Sequence, residues 1–376
     1  MTIVVIFGVT TALFLYTSGY RLSKGTDKPV DINKTGMISA KSIPEGASVY
    51  LDGVLTTATN DTISGVKPGM HNLKIVRKGF MEWSKDIEVF EQLVTDITAV
   101  LVSQSPRLEP LTNTGASGPS ISRTLSKLAY FSPDDEKPGI WVIPLTGNTG
   151  LNIFRSNSTV AIEDTAYTKY STGKSIEWSP DEKQLLVQNK NNALYLLDLD
   201  TKTAETTTSS QITRQGWEDM LLKERTAIID KITDLPENIR QLALSVKTVW
   251  SPDDKKFLYT VQNGDKLEYR VYNMEKPMPV GEKLETLVFV TNTADVQPKI
   301  SWYSDSFHLV MVEGNVAVDH KGIISLIRID GSNKVEIYNN TLYSDSVFSA
   351  PGGDKFIILT TFKSGGDTNL YTIAIR

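Results

Sequence analysis

Charge is missing from the first twenty positions of the chain, where Ile3-Val4-Val5-Ile6-Phe7, Val9 and Ala12-Leu13-Phe14-Leu15 are relieved only by scattered Thr and Ser. Wound as a helix at ~1.5 Å per residue, such a run covers about 30 Å, the thickness of a bilayer's hydrocarbon core. A helix buried in a protein core would keep a polar face, and a cleaved signal peptide would begin basic and finish at a small-x-small site. Neither pattern is present, so residues 1–20 predict a transmembrane anchor in contact with membrane lipid, followed by a polar stalk over 21–36. Beyond the stalk the hydrophobic period becomes two. His71-Asn72-Leu73-Lys74-Ile75-Val76-Arg77 alternates outward polar and inward apolar side chains, as do Ile87-Glu88-Val89-Phe90 and Thr95 to Leu101. Asp52-Gly53 suits the positive φ angles of a tight hairpin, and together these short strands predict a small β-sandwich over 37–102.

Residues 103–120 shift to Ser, Pro, Gly and Thr, the composition of a linker, but Arg107-Leu108-Glu109-Pro110-Leu111-Thr112 within them reads as a strand. A repeat then takes over. Trp178-Ser179-Pro180-Asp181 and Trp250-Ser251-Pro252-Asp253 are nearly identical, each followed by Lys and an apolar run, with Trp302-Tyr303-Ser304-Asp305 and Phe348-Ser349-Ala350-Pro351 as weaker copies. Ser132-Pro133-Asp134-Asp135 looks like the same signature but falls one hairpin later; the aligned start is Ile121-Ser122, with Ser122 six residues before Leu128 as Ser179 is six before Leu185. Anchors at 121, 178, 250, 302 and 348 are 57, 72, 52 and 46 residues apart, close to the ~40 to 50 residues of a four-stranded propeller blade. An all-β chain results, its residues 121–376 forming a propeller of about five blades, with six also compatible. The segment at 107–111 resembles the fourth strand Lys334 to Tyr338, and is expected to pair near 370–375 and close the ring.

The longest interval holds something else. Trp217, Met220, Leu221, Ile228, Ile232 and Leu235 recur at helical spacing, and Asp234-Leu235-Pro236-Glu237 opens a second short helix carrying Ile239, Leu242 and Val246. A helical hairpin over 216–245 follows. Its apolar stripe either docks on a propeller face or binds a partner or forms a lid through Trp217, Met220, Leu221 and Ile228.

Composition removes many chemistries. A net charge of -5 gives no basic field for nucleic acid, and the absence of cysteine removes disulfides, thiol catalysis and thiolate metal sites together. His71, His308 and His320 lie far apart, no G-x-S-x-G elbow is present, and the pairs Gly352-Gly353 and Gly365-Gly366 sit between strands as turn glycines. Adjacent acids such as Asp134-Asp135 and Asp253-Asp254 point apart on a turn. No catalytic, cofactor-binding or metal-ligating residue is expected.

Two resemblances add to this. Pro44-Glu45-Gly46-Ala47, followed by Val49-Tyr50-Leu51-Asp52-Gly53, Val66-Lys67-Pro68-Gly69, Lys78-Gly79-Phe80 and Trp83, resembles a PEGA domain across nearly all of 37–102. That family is usually met in bacterial envelope and cell-surface proteins, and its tetrapeptide is structural. The repeat array resembles the TolB-like propeller, in which the aromatic and Ser-Pro-Asp positions build turns and packing between blades. The resemblances imply a membrane-anchored envelope protein that binds or scaffolds a protein, peptide or glycan partner without catalysis. The alternatives are a propeller enzyme acting on cell-wall or extracellular polysaccharide, and an extracytoplasmic sensor. Arg21, Lys24 and Lys28 after the apolar run place the bulk in the cytoplasm by the positive-inside rule, whereas the module content places it outside, with Asp27 and Asp31 diluting the basic cluster. The extracytoplasmic orientation is the one expected.

Overall fold

A computed structural model describes residues 1–17, 20–23, 31–145, 158–362 and 366–376. Ser18 and Gly19 of the expected anchor, residues 24–30 of the expected stalk and Gly365 of the last hairpin lie outside the described residues. The chain divides into two units, the first comprising Met1–Ser105 with Glu275–Leu284 and Arg376, the second Pro106–Met274 with Glu285–Ile375.

In the first unit, helix α1 covers Thr2–Thr17, 16 residues, or about 24 Å of rise. That is shorter than the span expected over 1–20, and Tyr20 already belongs to a strand. Among the described residues no helix is long and apolar enough to cross a membrane. The expected stalk also carries structure, since Tyr20–Ser23 pairs antiparallel with Asp31–Lys34.

The sandwich follows the alternation in the sequence. One sheet orders Asp61–Val66, Gly36–Ile43 and Val94–Val100; the other orders Val54–Ala58, Ser48–Leu51, Gly69–Val76 and Trp83–Val89. Gly36–Ile43 and Val94–Val100 run parallel with Met37 opposite Val94, and every second residue of Gly36–Ile43 is buried. Ile38, Val49, Leu73, Ile75, Trp83 and Ile97 fill the space between the sheets. Asp52 at φ 49 and Gly53 at φ 80 make the two-residue turn between Leu51 and Val54, a conformation that favours Asp-Gly over any bulkier pair. Asp52 also accepts from the Asn72 N–H at 2.9 Å and sits 2.7 Å from Nδ1 of His71, whose Nε2 is 2.7 Å from the Lys67 carbonyl.

Among the described residues the second unit contains five antiparallel sheets of four strands. Blade one is Ser117–Ile121, Lys127–Ser132, Gly139–Pro144 and Thr159–Glu163; blade two is Gly173–Trp178, Gln184–Asn189, Leu194–Asp198 and Thr203–Thr207. Blade three is Val249–Trp250, Lys256–Asn263, Lys266–Asn273 and Glu285–Asn292; blade four is Lys299–Trp302, His308–Glu313, Lys321–Arg328 and Val335–Thr341. Blade five takes Phe348–Ser349, Lys355–Thr360 and Asn369–Ala374 from the end of the chain and Arg107–Pro110 from before blade one, with Arg107 opposite Ala374 and Pro110 opposite Tyr371. Joining the two ends of the array in one sheet covers the edge of Asn369–Ala374 that would otherwise stay unpaired.

One turn recurs in all five blades. The N–H groups of Ser122, Ser179, Ser251, Tyr303 and Ala350 donate to the carbonyls of Lys127, Gln184, Lys256, His308 and Lys355, each five residues on. The fourth residue of each turn, Leu125, Glu182, Asp254, Ser306 or Gly353, takes a left-handed φ between 54 and 61. The Ser-Pro-Asp motif serves this geometry: Ser179 Oγ donates to Asp181 at 2.6 Å and Ser251 Oγ to Asp253 at 2.5 Å, while the same hydroxyls accept the N–H groups of Gln184 and Lys256. Where Asp305 replaces the serine chemistry it accepts the N–H groups of Phe307 and His308 directly.

Tryptophans tie neighbouring blades. Trp178 Nε1 donates to the Ser120 carbonyl of blade one and Trp302 Nε1 to the Val249 carbonyl of blade three, both at 2.9 Å. Trp250 would reach blade two by the same logic, yet its Nε1 donates to Ala243 at 2.8 Å. Ala243 belongs to the helical insertion, made of α2 (Ser210–Ile229) and α3 (Glu237–Ala243). The insertion starts ahead of the expected 216 because Ser209 caps α2 by accepting the Ile212 N–H. It ends its helix before Val246, which is 76% exposed and so does not join the stripe. Ile229 and Ala243 are fully buried against Trp250, Phe257 and Tyr259, and Ile228, Ile232, Leu235, Ile239 and Leu242 pack around them.

Candidate functional site

The inner strands of all five blades and the inward face of α2 surround one cavity of ≈ 630 Å³. Four of the chain's six tryptophans line it: Trp178, Trp250 and Trp302 from the blades and Trp217 from α2. Leu221 and Phe348 add to the apolar wall. A smaller cavity of ≈ 410 Å³ shares Ser120, Ile121, Ile176 and Phe348 with it and adds Lys174, Tyr343 and Ser344, so the hollow continues along the inner strands.

Charged groups hold α2 over this hollow. Arg214 grips Glu177 of blade two with bonds of 2.5 and 2.8 Å. Arg123, in the turn of blade one, donates Nη1 to Glu224 of α2 at 2.6 Å and Nη2 to Asp254 of blade three at 2.9 Å. Burial pushes the Asp254 carboxyl above the usual range even though Arg123 pulls it back, because Glu224 and Asp253 add to the repulsion. Arg225 lies with its Cζ 5.3 Å from the Trp250 ring centroid, a cation–π distance. Next to the rim, Glu182 of blade two accepts the Thr124 N–H at 2.8 Å and the Thr124 and Ser126 hydroxyls at 2.7 and 2.8 Å. Burial alone would raise its pKa, but these donors win and hold it low.

The residues singled out in the sequence separate into four groups. Pro44, Glu45, Gly46 and Ala47 lead into the sandwich: Glu45 is exposed, Gly46 takes φ 78, and the buried Ala47 donates its N–H to Thr59 Oγ1. Asp52 and Gly53 form the hairpin turn just described. Ser179, Pro180, Asp181, Ser251, Pro252 and Asp253 build the recurring turns, with Pro180 and Pro252 also reaching the cavity. Of the α2 set, Trp217 and Leu221 face the cavity, Ile228 joins the blade-three core, and Met220 is 40% exposed. The stripe therefore docks on the ring, and Met220 alone of the four stays outside that contact.

Sequence reasoning missed Arg123, Glu177, Arg214, Glu224 and Arg225, and set Asp254 aside as one of two turn acids pointing apart. A signal for two of them existed: Arg214 and Arg225 fall on the apolar face of α2 at the spacing of Trp217, Leu221 and Ile228. Nothing in the sequence could pair Arg123 with groups 101 and 131 residues away.

Comparison with known proteins agrees with the first unit. Residues 35–105 match the PEGA domain. Similar solved structures include TolB from Acinetobacter baumannii, at 14% identity and TM-score 0.27, covering 81% of this chain and 59% of that one. The chain thus spans little more than half the length of that TolB. TolB from Agrobacterium tumefaciens is similar at 15% identity and TM-score 0.25, covering 72% and 92%. An oligogalacturonate lyase from Vibrio parahaemolyticus is similar at 10% identity and TM-score 0.32, covering 81% and 84%. No curated protein matches the chain. The five blades rest on strand pairing within this chain, since likenesses of this size carry nothing further.

Proposed function

We propose that this is a non-enzymatic binding protein of the cell envelope, whose propeller recognises a protein, peptide or glycan partner at the tryptophan-lined hollow under α2 while α1 lodges in lipid. The observation that carries the reading is the state of the carboxylates there. Of the three carboxylates that line it, Glu177 is engaged by Arg214 and Asp254 by Arg123, which leaves Glu218 alone without an arginine among the described residues, and a lone free acid lacks the second carboxylate that glycoside hydrolysis uses. What remains is an apolar concavity with a polar rim, the usual form of a binding site.

Lipid contact has its own support. Ile3, Phe7 and Phe14 are 82%, 75% and 67% exposed, and apolar side chains surround the helix. The hydroxyls of Thr10 and Thr11 donate back to the carbonyls of Ile6 and Phe7 at 2.7 and 2.8 Å, so neither asks for water. A helix apolar on every side needs an apolar cover on every side. The PEGA match favours the extracytoplasmic side for the β-rich bulk.

The test uses the full chain in lipid nanodiscs, titrated with peptide and glycan fractions of envelope extracts while tryptophan emission and release of new reducing ends are followed. A saturable emission change without turnover, lost in Trp217→Ala, is the expected result. Steady release of cleaved product would replace this reading with the enzymatic one. Flotation with liposomes checks the anchor: the chain is expected to float, and Phe7→Asp with Val9→Asp to sink; equal behaviour of both would remove α1 from the lipid.

A further inference from the structure

Three guanidinium groups reach the hollow under α2, and two are committed. Arg214 holds Glu177, and Arg123 holds Glu224 and Asp254. Arg225 lines the same cavity one residue past Glu224, and among the described residues it forms no ion pair or hydrogen bond, only the cation–π contact with Trp250. Its surroundings resist a bare cation: burial pushes its pKa down and Arg123 adds to that, with Asp254 and Glu224 opposing. Its N–H groups, without a hydrogen-bond partner among the described residues, form a planar fork that matches a carboxylate's two oxygens.

Resting on the binding reading above, we propose that the hollow takes a ligand with one carboxylate and an apolar body, the carboxylate on Arg225 and the body against Trp178, Trp217, Trp250 and Trp302. The volume of ≈ 630 Å³ falls in the range of small-ligand sites, ~300 to 1,000 Å³. Glu218 sets the charge of the ligand. It lines the cavity two turns before Arg225 on the same helix, is exposed, and is the one lining carboxylate with no arginine partner among the described residues. A second negative charge on the ligand would meet it, so a monoanion fits better than a dianion. The three blade tryptophans spend their N–H groups on backbone carbonyls, leaving their ring faces for apolar contact.

Such chemistry comes from two sources, a medium-chain fatty acid or the free C-terminus of an apolar peptide, and the experiment separates them. The full chain in nanodiscs is titrated calorimetrically against empty nanodiscs with octanoate, octanol, an apolar pentapeptide with a free C-terminus, and the same peptide amidated. At least one carboxylate is expected to bind about tenfold or more tighter than its uncharged counterpart, as one charge-assisted pair implies; whichever carboxylate it is identifies the source. Arg225→Gln should erase that preference while Arg225→Lys keeps part of it, with circular dichroism and melting showing that both variants fold. Octanol and the amide binding as well as the acids, or Arg225→Gln binding like the parent, overturns the carboxylate and leaves the wider binding reading intact. No binding by any of the four probes overturns it equally. Turnover of a glycan substrate, by contrast, would remove the binding reading itself.

Discussion

Replacing Glu182 by alanine tests whether the ring is held by the turns that ride on its blades. The Glu182 residue is 8% exposed, and its carboxylate accepts one N–H and two hydroxyls from blade one at 2.7 to 2.8 Å. Both hydroxyls can rotate to new partners, but the Thr124 N–H cannot, and an orphaned partly buried donor costs about 1–3 kcal/mol. With the lost charge-assisted bonds the total is about 3 kcal/mol, which lowers the melting point of a unit of this size by roughly 6–12 °C. Glu182→Gly separates two contributions, because Glu182 stands at φ 59, where a Cβ costs about 1 kcal/mol relative to glycine. The glycine variant should therefore melt above the alanine variant and below the parent. The pH dependence gives an independent reading. Since the folded Glu182 carboxyl is held below its ordinary value, its contribution is present above the unfolded pKa, near ~4.3, and is lost as pH falls through the folded one. Scanning calorimetry of the three proteins at neutral pH and in acid follows both effects. Should Glu182→Ala melt within a degree of the parent (roughly the scale of a neutral surface change), and lose stability in acid just as the parent does, the clamp contributes nothing and the argument fails.

Three further outcomes follow from the same geometry. His71 has both ring nitrogens against acceptors and its pKa is raised, burial opposing and Asp52 and the Lys67 carbonyl prevailing; its stabilisation is full below the unfolded pKa, near ~6.5, and fades as pH rises through the folded one. The PEGA unit should thus unfold at lower urea at pH 8 than at pH 6, and His71→Gln should flatten that difference. Gly173→Ala would bring a Cβ to 2.1 Å from the Phe131 ring, so the ring's urea midpoint should drop by the equivalent of about 2 kcal/mol or more; an unchanged midpoint would mean Phe131 has room to move. Leu111→Pro removes the N–H that donates to the Leu370 carbonyl at 2.8 Å where the closing segment meets the last strand, and hydrogen exchange should rise across 369–374 while blades two and three stay protected.

The blade grammar was legible because it is local. Ser122, Ser179 and Ser251 sit six residues before the apolar run of the next strand, and at Ser179 and Ser251 a hydroxyl, an aspartate and one left-handed residue within that distance close the turn from the sequence alone. The likeness of residues 107–112 to a fourth strand was readable for a similar reason, as strand alternation survives wherever the strand is finally paired. The end of α1 at Thr17 was not legible, because hydropathy counts apolar residues and carries no helix boundary. What the chain alone determined, then, is the alternation, the turns and the helical stripe, each set by side chains within a few positions of one another. What folding decided is the site. Closing five blades brings Arg123 to Glu224 and Asp254, sets α2 over the hollow through Arg214 and Glu177, and leaves Arg225 facing the cavity from above Trp250. Contacts between residues a hundred positions apart carry no periodic trace in a sequence, since their distance in space is fixed by the curvature of the ring and by nothing in either neighbourhood.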